Sequence, residues 1–160
     1  MPMTTPDWTV AEWLNSDGPL TLSDFQGRIV VLEAFQMLCP GCVAHGLPLL
    51  QQVQATFDPA DVAVLGLHTV FEHHEAQGSR AALAAFLHEY RIRFPVGIDA
   101  QRKGSPLPAT MADYEMQGTP TLVLFDREGR RVRQYFGQIS ALALGANIGA
   151  LLVSSDESSG

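Results

Sequence analysis

Lysine is nearly absent from the chain: of ten basic residues only Lys103 is not an arginine, and they face seventeen acidic ones for a net charge of −7. An acidic surface with its few arginines scattered repels phosphate backbones and anionic membranes, so neither a nucleic-acid partner nor a membrane-surface partner is expected. No apolar run approaches the ~20 residues that span a bilayer, and residues 1–14 lack the basic-then-apolar pattern of an export signal. The expected location is cytoplasmic, or periplasmic if a signal has been removed. Cysteine is equally scarce. Two residues, Cys39 and Cys42, are all there are, which excludes the disulfide framework of a secreted mini-domain. No internal repeat is visible. What is present in quantity is apolar: 46% of 160 residues, enough for one well-buried core and one domain, expected over residues 1–153 with a polar tail over 154–160.

The apolar residues are grouped into elements. Residues 8–28 alternate around the turn cluster Asn15-Ser16-Asp17-Gly18-Pro19, which predicts an N-terminal hairpin. Ile29 to Phe35 and Val62 to His68 are nearly continuous apolar runs, the pattern of strands covered on both faces. Between them, Val43, Leu47, Leu50, Val53 and Phe57 recur at helical spacing, with Pro40 suited to the first turn and Pro48 expected to kink the helix. Leu83, Phe86, Leu87 and Tyr90 predict a second helix with Ser79 as N-cap. A short strand at Pro95 to Ile98, a hairpin formed by Thr121 to Phe125 and Arg131 to Phe136, and a last helix through Leu144, Ile148, Leu151 and Leu152 complete the chain. Strand–helix alternation followed by a hairpin implies an α/β sandwich with a mixed central sheet.

The chemistry is concentrated in Cys39-Pro40-Gly41-Cys42, which leaves a buried strand and opens a helix. There the first sulfur meets unpaired amide N–H groups and the positive end of the helix dipole, which favours its thiolate. Cys39 is therefore the candidate nucleophile, and Cys42, one turn inward, the resolving thiol. A zinc site would need about four ligands, and only His45 is near in sequence. Glu33 is the one charge in its apolar run. A buried acid there would have a raised pKa and could take the proton of Cys42 through a water; the alternative is an acid that reaches solvent. Glu72-His73-His74-Glu75, with His68 before it, could gather at the same sheet edge as a metal site, although adjacent histidines in a polar loop are more often solvated.

The stretch from Leu20 to Phe35, the Cys39–Cys42 motif, and Gly118-Thr-Pro-Thr-Leu-Val-Leu-Phe-Asp-Arg-Glu-Gly together resemble the thioredoxin superfamily, within it the TlpA/ResA-like and AhpC/TSA redoxin branch. The resemblance spans residues 7–153. It implies a thioredoxin-like three-layer sandwich with an N-terminal hairpin and a central insertion, and dithiol–disulfide exchange with protein substrates, recycled by an unidentified reductase, without a cofactor or metal and as a monomer. Carried over by position, Cys39 matches the attacking thiol, Cys42 the resolving thiol, and Glu33 the acid beneath it. Thr119-Pro120 matches a cis-proline loop that receives substrate main chain, with Pro40 and Gly41 completing the substrate-binding surface. Three departures stand out. Met37-Leu38 replaces the usual tryptophan before the first cysteine, the helix proline comes six rather than five residues after the second, and His45 stands where a glutamate is common and could tune the thiols.

Two other functions fit parts of the pattern. Pro40-Gly41-Cys42 resembles a peroxidatic motif with Cys42 as the reactive thiol, but the threonine expected three residues earlier is Cys39. A non-catalytic metal carrier using Cys39, Cys42 and a histidine is the third reading.

Overall fold

The computed structural model describes residues 4–158. A six-stranded mixed sheet runs in the order β1-β4-β3-β2-β5-β6, built from β1 (Val10–Leu14), β2 (Ile29–Phe35), β3 (Val62–His68), β4 (Val96–Asp99), β5 (Thr121–Phe125) and β6 (Arg131–Phe136). β2, β3 and β4 are mutually parallel, and β1, β5 and β6 pair antiparallel to their neighbours. The two central strands are wholly buried. This is the reason they lack polar alternation: neither face meets water.

Side-chain parity divides the core. Ile29, Val31 and Phe35 of β2 pack with Leu47 and Leu50 of α1 (Leu47–Thr56), Leu83 and Leu87 of α3 (Arg80–Glu89), and Leu144 and Ile148 of α5 (Ala141–Ser158). Val30, Leu32 and Ala34 point the other way, against Met111 of α4 (Ala109–Asp113), Tyr114 and Phe25. Three helices thus cover one face, and one short helix with the N-terminal segment covers the other. Glu33 shares the parity of Val31 and Phe35 and so lies on the face that carries α1. Between β3 and β5 the chain inserts α2 (His74–Gln77), α3, β4 and α4. Ser79 caps α3 by accepting the Ala82 N–H at 3.1 Å. The buried Asp99 carboxylate accepts the Thr110 and Met111 N–H groups at the start of α4.

The expected N-terminal hairpin does not form. β1 pairs with β4 instead, Leu14 opposite Val96, and the stretch expected to return as its partner contains a single 3-10 turn at Leu22–Phe25. Asn15 explains the redirection. In a left-handed conformation (φ 57°), it donates from Nδ2 to the Ile92 and Phe94 carbonyls at 2.9 and 3.1 Å, fastening the turn to the loop that feeds β4. Farther on, Asp24 accepts the Thr21 N–H at 2.7 Å, a local bond that favours a turn over a ladder. At the other end, α5 continues to Ser158, into the segment read from sequence as a tail.

Candidate active site

The site forms where β2 ends. Residues 36–39 leave the strand, and helical backbone begins at Pro40, with the Val43 N–H bonding back to the Cys39 carbonyl at 3.1 Å. Cys42–Gly46 is a π turn that runs directly into α1, the Leu47 N–H reaching the Cys42 carbonyl five residues back. The extra residue before Pro48 is absorbed here: a π turn takes up one additional residue while the helix on either side keeps its register. Pro48 follows this turn directly, inside a helical run that is unbroken from residue 40 to 56, so the irregularity expected of a proline in a helix is the π turn just before it.

Both cysteines are free thiols, with their Sγ atoms 2.6 Å apart. Cys39 is partly exposed and Cys42 fully buried. Cys39 Sγ accepts the Cys42 N–H at 3.3 Å and lies 3.5 Å from the Thr119 carbonyl, to which its S–H donates. Burial, reinforced by the hydrogen bond to Cys39, pushes the Cys42 thiol well above the ordinary thiol range. The Thr119–Pro120 bond is cis. The Pro120 ring lies against Gly41, where a Cβ would stand 3.5 Å from its Cδ, and against Gly46. Pro40 is exposed beside the partly buried Gly41. Gly41, Thr119 and Pro120 are thus brought to the two sulfurs.

Glu33 is buried to 2% exposure, and among the described residues its Oε2 has no hydrogen-bond partner. Desolvation raises its pKa from 4.5 to about 8. Its carboxylate meets the π turn at Gly46, and with Gly46, His45, Leu49, Pro120 and Gln138 it lines a cavity of about 10 Å³. That volume is close to the ~10–15 Å³ that admits one water. His45 is exposed at this cavity.

The candidate metal loop comes apart. Glu72, His73, His74 and Glu75 are exposed, whereas His68 is buried, with its Nε2 accepting the Met37 N–H at 3.3 Å. Burial lowers the His68 pKa to about 4, so the ring is neutral. Among the described residues no three His, Cys, Asp or Glu side chains gather as metal ligands.

Two residues not anticipated from sequence complete the site. Gln36 and Gln77, each 1% exposed, are hydrogen-bonded to one another at 3.0 Å beneath the motif. Gln77 ends the polar stretch 69–77 and follows no hydrophobic period. The one available signal was a polar residue, Gln36, directly after the buried run of β2.

Residues 3–134 match the model of the AhpC/TSA family. NHL repeat-containing protein 2 of Gallus gallus is 29% identical over 131 residues, covering 79% of this chain and 16% of that protein. Thiol-disulfide oxidoreductase ResA of Bacillus anthracis is 26% identical over 119 residues, 74% of this chain and 61% of that protein. The chain thus spans less than two thirds of these relatives. Two solved structures match almost end to end. A thioredoxin-like superfamily protein has 55% identity and a TM-score of 0.90, covering 94% of this chain and 96% of that one. A thiol-disulfide isomerase from Corynebacterium glutamicum has 44% identity and a TM-score of 0.89, covering 93% and 96%. The fold is thioredoxin-like. Among the described residues no helix is long and apolar enough to cross a membrane.

Proposed function

Because this chain belongs to the AhpC/TSA family and joins a partly exposed sulfur to a buried one at a helix start, we propose that it is a thiol–disulfide oxidoreductase acting on protein substrates through the Cys39–Cys42 dithiol. The observation that carries this reading is the asymmetry of the pair. Cys39 is partly open to solvent and to a substrate sulfur, while Cys42 is shut off from solvent and lies against Cys39.

In the reducing direction, the Cys39 thiolate attacks one sulfur of a substrate disulfide. A Cys39–substrate disulfide forms, and the other substrate sulfur leaves as a thiolate and is protonated. Cys42 then loses its proton and attacks Cys39 Sγ, closing the Cys39–Cys42 disulfide and releasing the second substrate thiolate. Two electrons and two protons pass to the substrate, and the oxidising direction is the reverse. The Cys42 N–H aimed at Cys39 Sγ supports negative charge on that sulfur. Since burial disfavours the Cys42 thiolate, the second step needs a base, and the role is assigned to Glu33, the buried carboxylate on the strand that leads into the motif. Thr119, Pro120, Pro40 and Gly41 border the sulfurs and form the surface for the substrate chain. His45, exposed at the cavity that Glu33 lines, is assigned to tuning the thiols. A recycling reductase would meet the same surface.

The burial of Cys42 weighs against a peroxidase with Cys42 as the attacking thiol, because peroxide would have to pass Cys39 first. For a metal carrier, the described residues offer no third ligand beside the two cysteines. The deciding experiment is insulin-disulfide reduction with Cys39→Ser and Cys42→Ser variants. Cys39→Ser is expected to abolish turnover, and Cys42→Ser to accumulate mixed disulfides at Cys39. Faster alkylation of Cys42 than of Cys39 in the reduced protein would reverse the assignment.

A further inference from the structure

We propose that Gln77, on the short helix of the inserted segment, is a positioning residue for Cys39: it fixes the backbone leading into the attacking sulfur and, through Gln36, couples that backbone to the Thr119 loop. The inference deepens the dithiol reading above and rests on it.

Both glutamines are buried polar groups, and such groups are costly unless paired. Gln77 Oε1 accepts the Leu38 N–H at 3.0 Å, and its Nε2 donates to Gln36 Oε1 at 3.0 Å and to the Glu72 carbonyl at 2.7 Å. Gln36 Oε1 also accepts the Phe71 N–H at 3.2 Å, and its Nε2 donates to Thr119 Oγ1 at 3.3 Å. Backbone donors point at both Oε1 atoms, so neither amide can be reversed without setting N–H against N–H. Two side chains therefore tie together the segments that meet at the sulfurs: residues 36–39, the loop 71–77, and Thr119.

The approach to Cys39 relies on these bonds at Leu38 above all, since Met37 and Cys39 also pack against the core. Leu38 is 54% exposed and gives no apolar anchor, and Met37 is only partly buried. Instead each amide from 37 to 39 is held polarly: Met37 by His68 Nε2, Leu38 by Gln77 Oε1, and Cys39 by the Gln36 carbonyl at 3.2 Å. Of the three partners, Gln77 alone comes from the inserted segment beyond β3. In-line attack tolerates only small displacements of the sulfur. This also assigns a role to the polar stretch from Glu72 to Glu75. It turns the chain through a left-handed His73 (φ 53°) and delivers Gln77 beneath the motif.

The test is the rate of Cys39 carboxymethylation in the reduced protein, measured with kcat and KM for disulfide reduction in wild type, Gln77→Met, Gln77→Glu and Ile148→Val. Ile148 is buried on α5 and takes no part in these hydrogen bonds, and its variant serves as a control for stability loss alone. Gln77→Met keeps the size and loses the amide, and should slow Cys39 alkylation roughly tenfold and lower kcat more than KM. Gln77→Glu, while neutral, can still accept from Leu38 and donate to Gln36. Its rate relative to wild type should approach one at acid pH and fall as the carboxyl ionises. The proposal is overturned if Gln77→Met alkylates like wild type or like Ile148→Val, or if Gln77→Glu shows no such pH dependence. Should the wild type lack disulfide exchange altogether, the dithiol reading fails by that result, and the alkylation rates still decide the role of Gln77.

Discussion

Glu33 and Gly46 are in direct apposition across the β2–α1 interface: a Cβ on residue 46 would stand 2.5 Å from Glu33 Oε1 and 3.2 Å from its Cδ. The glycine is required by the carboxylate rather than by backbone conformation, since residue 46 has ordinary helical angles. Gly46→Ala should therefore destabilise the protein by about 1–3 kcal/mol, despite alanine's better helix propensity, because the buried carboxylate must shift. Shortening the acid with Glu33→Asp should recover part of that loss. Denaturant unfolding of the two single variants and the double variant measures the coupling, and additive effects would show that the two residues do not compete for space.

Burial of Glu33 makes stability depend on pH in an unusual direction for a carboxylate. Its native pKa of about 8 lies above the unfolded value near 4.5, so the unfolded chain ionises first as pH rises. The group is neutral in both states below pH 4.5, and stability is lost progressively between 4.5 and 8. Glu33→Gln should remove that slope and stabilise the protein by roughly 2–5 kcal/mol above pH 8, with little effect below pH 4.5. The same variant should slow resolution of the mixed disulfide at Cys39. Chemical unfolding at a series of pH values, paired with single-turnover kinetics, separates the two effects. A flat stability difference with unchanged resolution would leave Glu33 without either role.

His68 supplies the opposite limb. Its pKa is lowered from 6.5 to about 4, so below pH 6.5 the unfolded chain takes up a proton that the native ring refuses. Stability should then fall by roughly 2–4 kcal/mol as pH drops from 6.5 to 4. Protonation would also convert Nε2 from acceptor to donor and oppose the Met37 N–H. Combined with Glu33, this places the stability maximum between pH 4.5 and 6.5. His68→Gln, which can still accept from Met37, should flatten the acid limb in thermal melts across that range.

How far these features could be read from sequence depended on what produced them. Ile29–Phe35, Val62–His68, Thr121–Phe125 and Arg131–Phe136 were legible because continuous burial or hairpin alternation leaves a local pattern. Glu33 was conspicuous as a lone charge in such a run. The partner of β1 was not legible: it lies at Val96–Asp99, and the bonds that choose it run from Asn15 to Ile92 and Phe94. Gln36 and Gln77 were hidden for a similar reason. An amide's role is set by the donors around it, and those come from segments 35 to 83 residues apart in the chain.

The π turn at Cys42–Gly46 makes the last prediction, because it distinguishes an absorbed residue from a shifted register. One residue more than an α-helix needs is held between the Cys42 carbonyl and the Leu47 N–H. Removing exposed Ala44 should let that segment close as an α turn while Cys42 keeps its place beside Cys39 and Gly46 keeps its place against Glu33. The deletion should therefore fold cooperatively, with a Tm within a few degrees of wild type and Cys39 alkylation largely preserved. Deleting exposed Gln52 from the regular part of α1 is the contrast. There every preceding side chain would rotate by about 100° relative to those that follow, separating the buried Leu47 and Leu50 from Val53 on their common face. That variant should lose most of its cooperative unfolding transition. Equal damage from the two deletions would mean that the turn is an integral part of the helix register and not an accommodated extra residue.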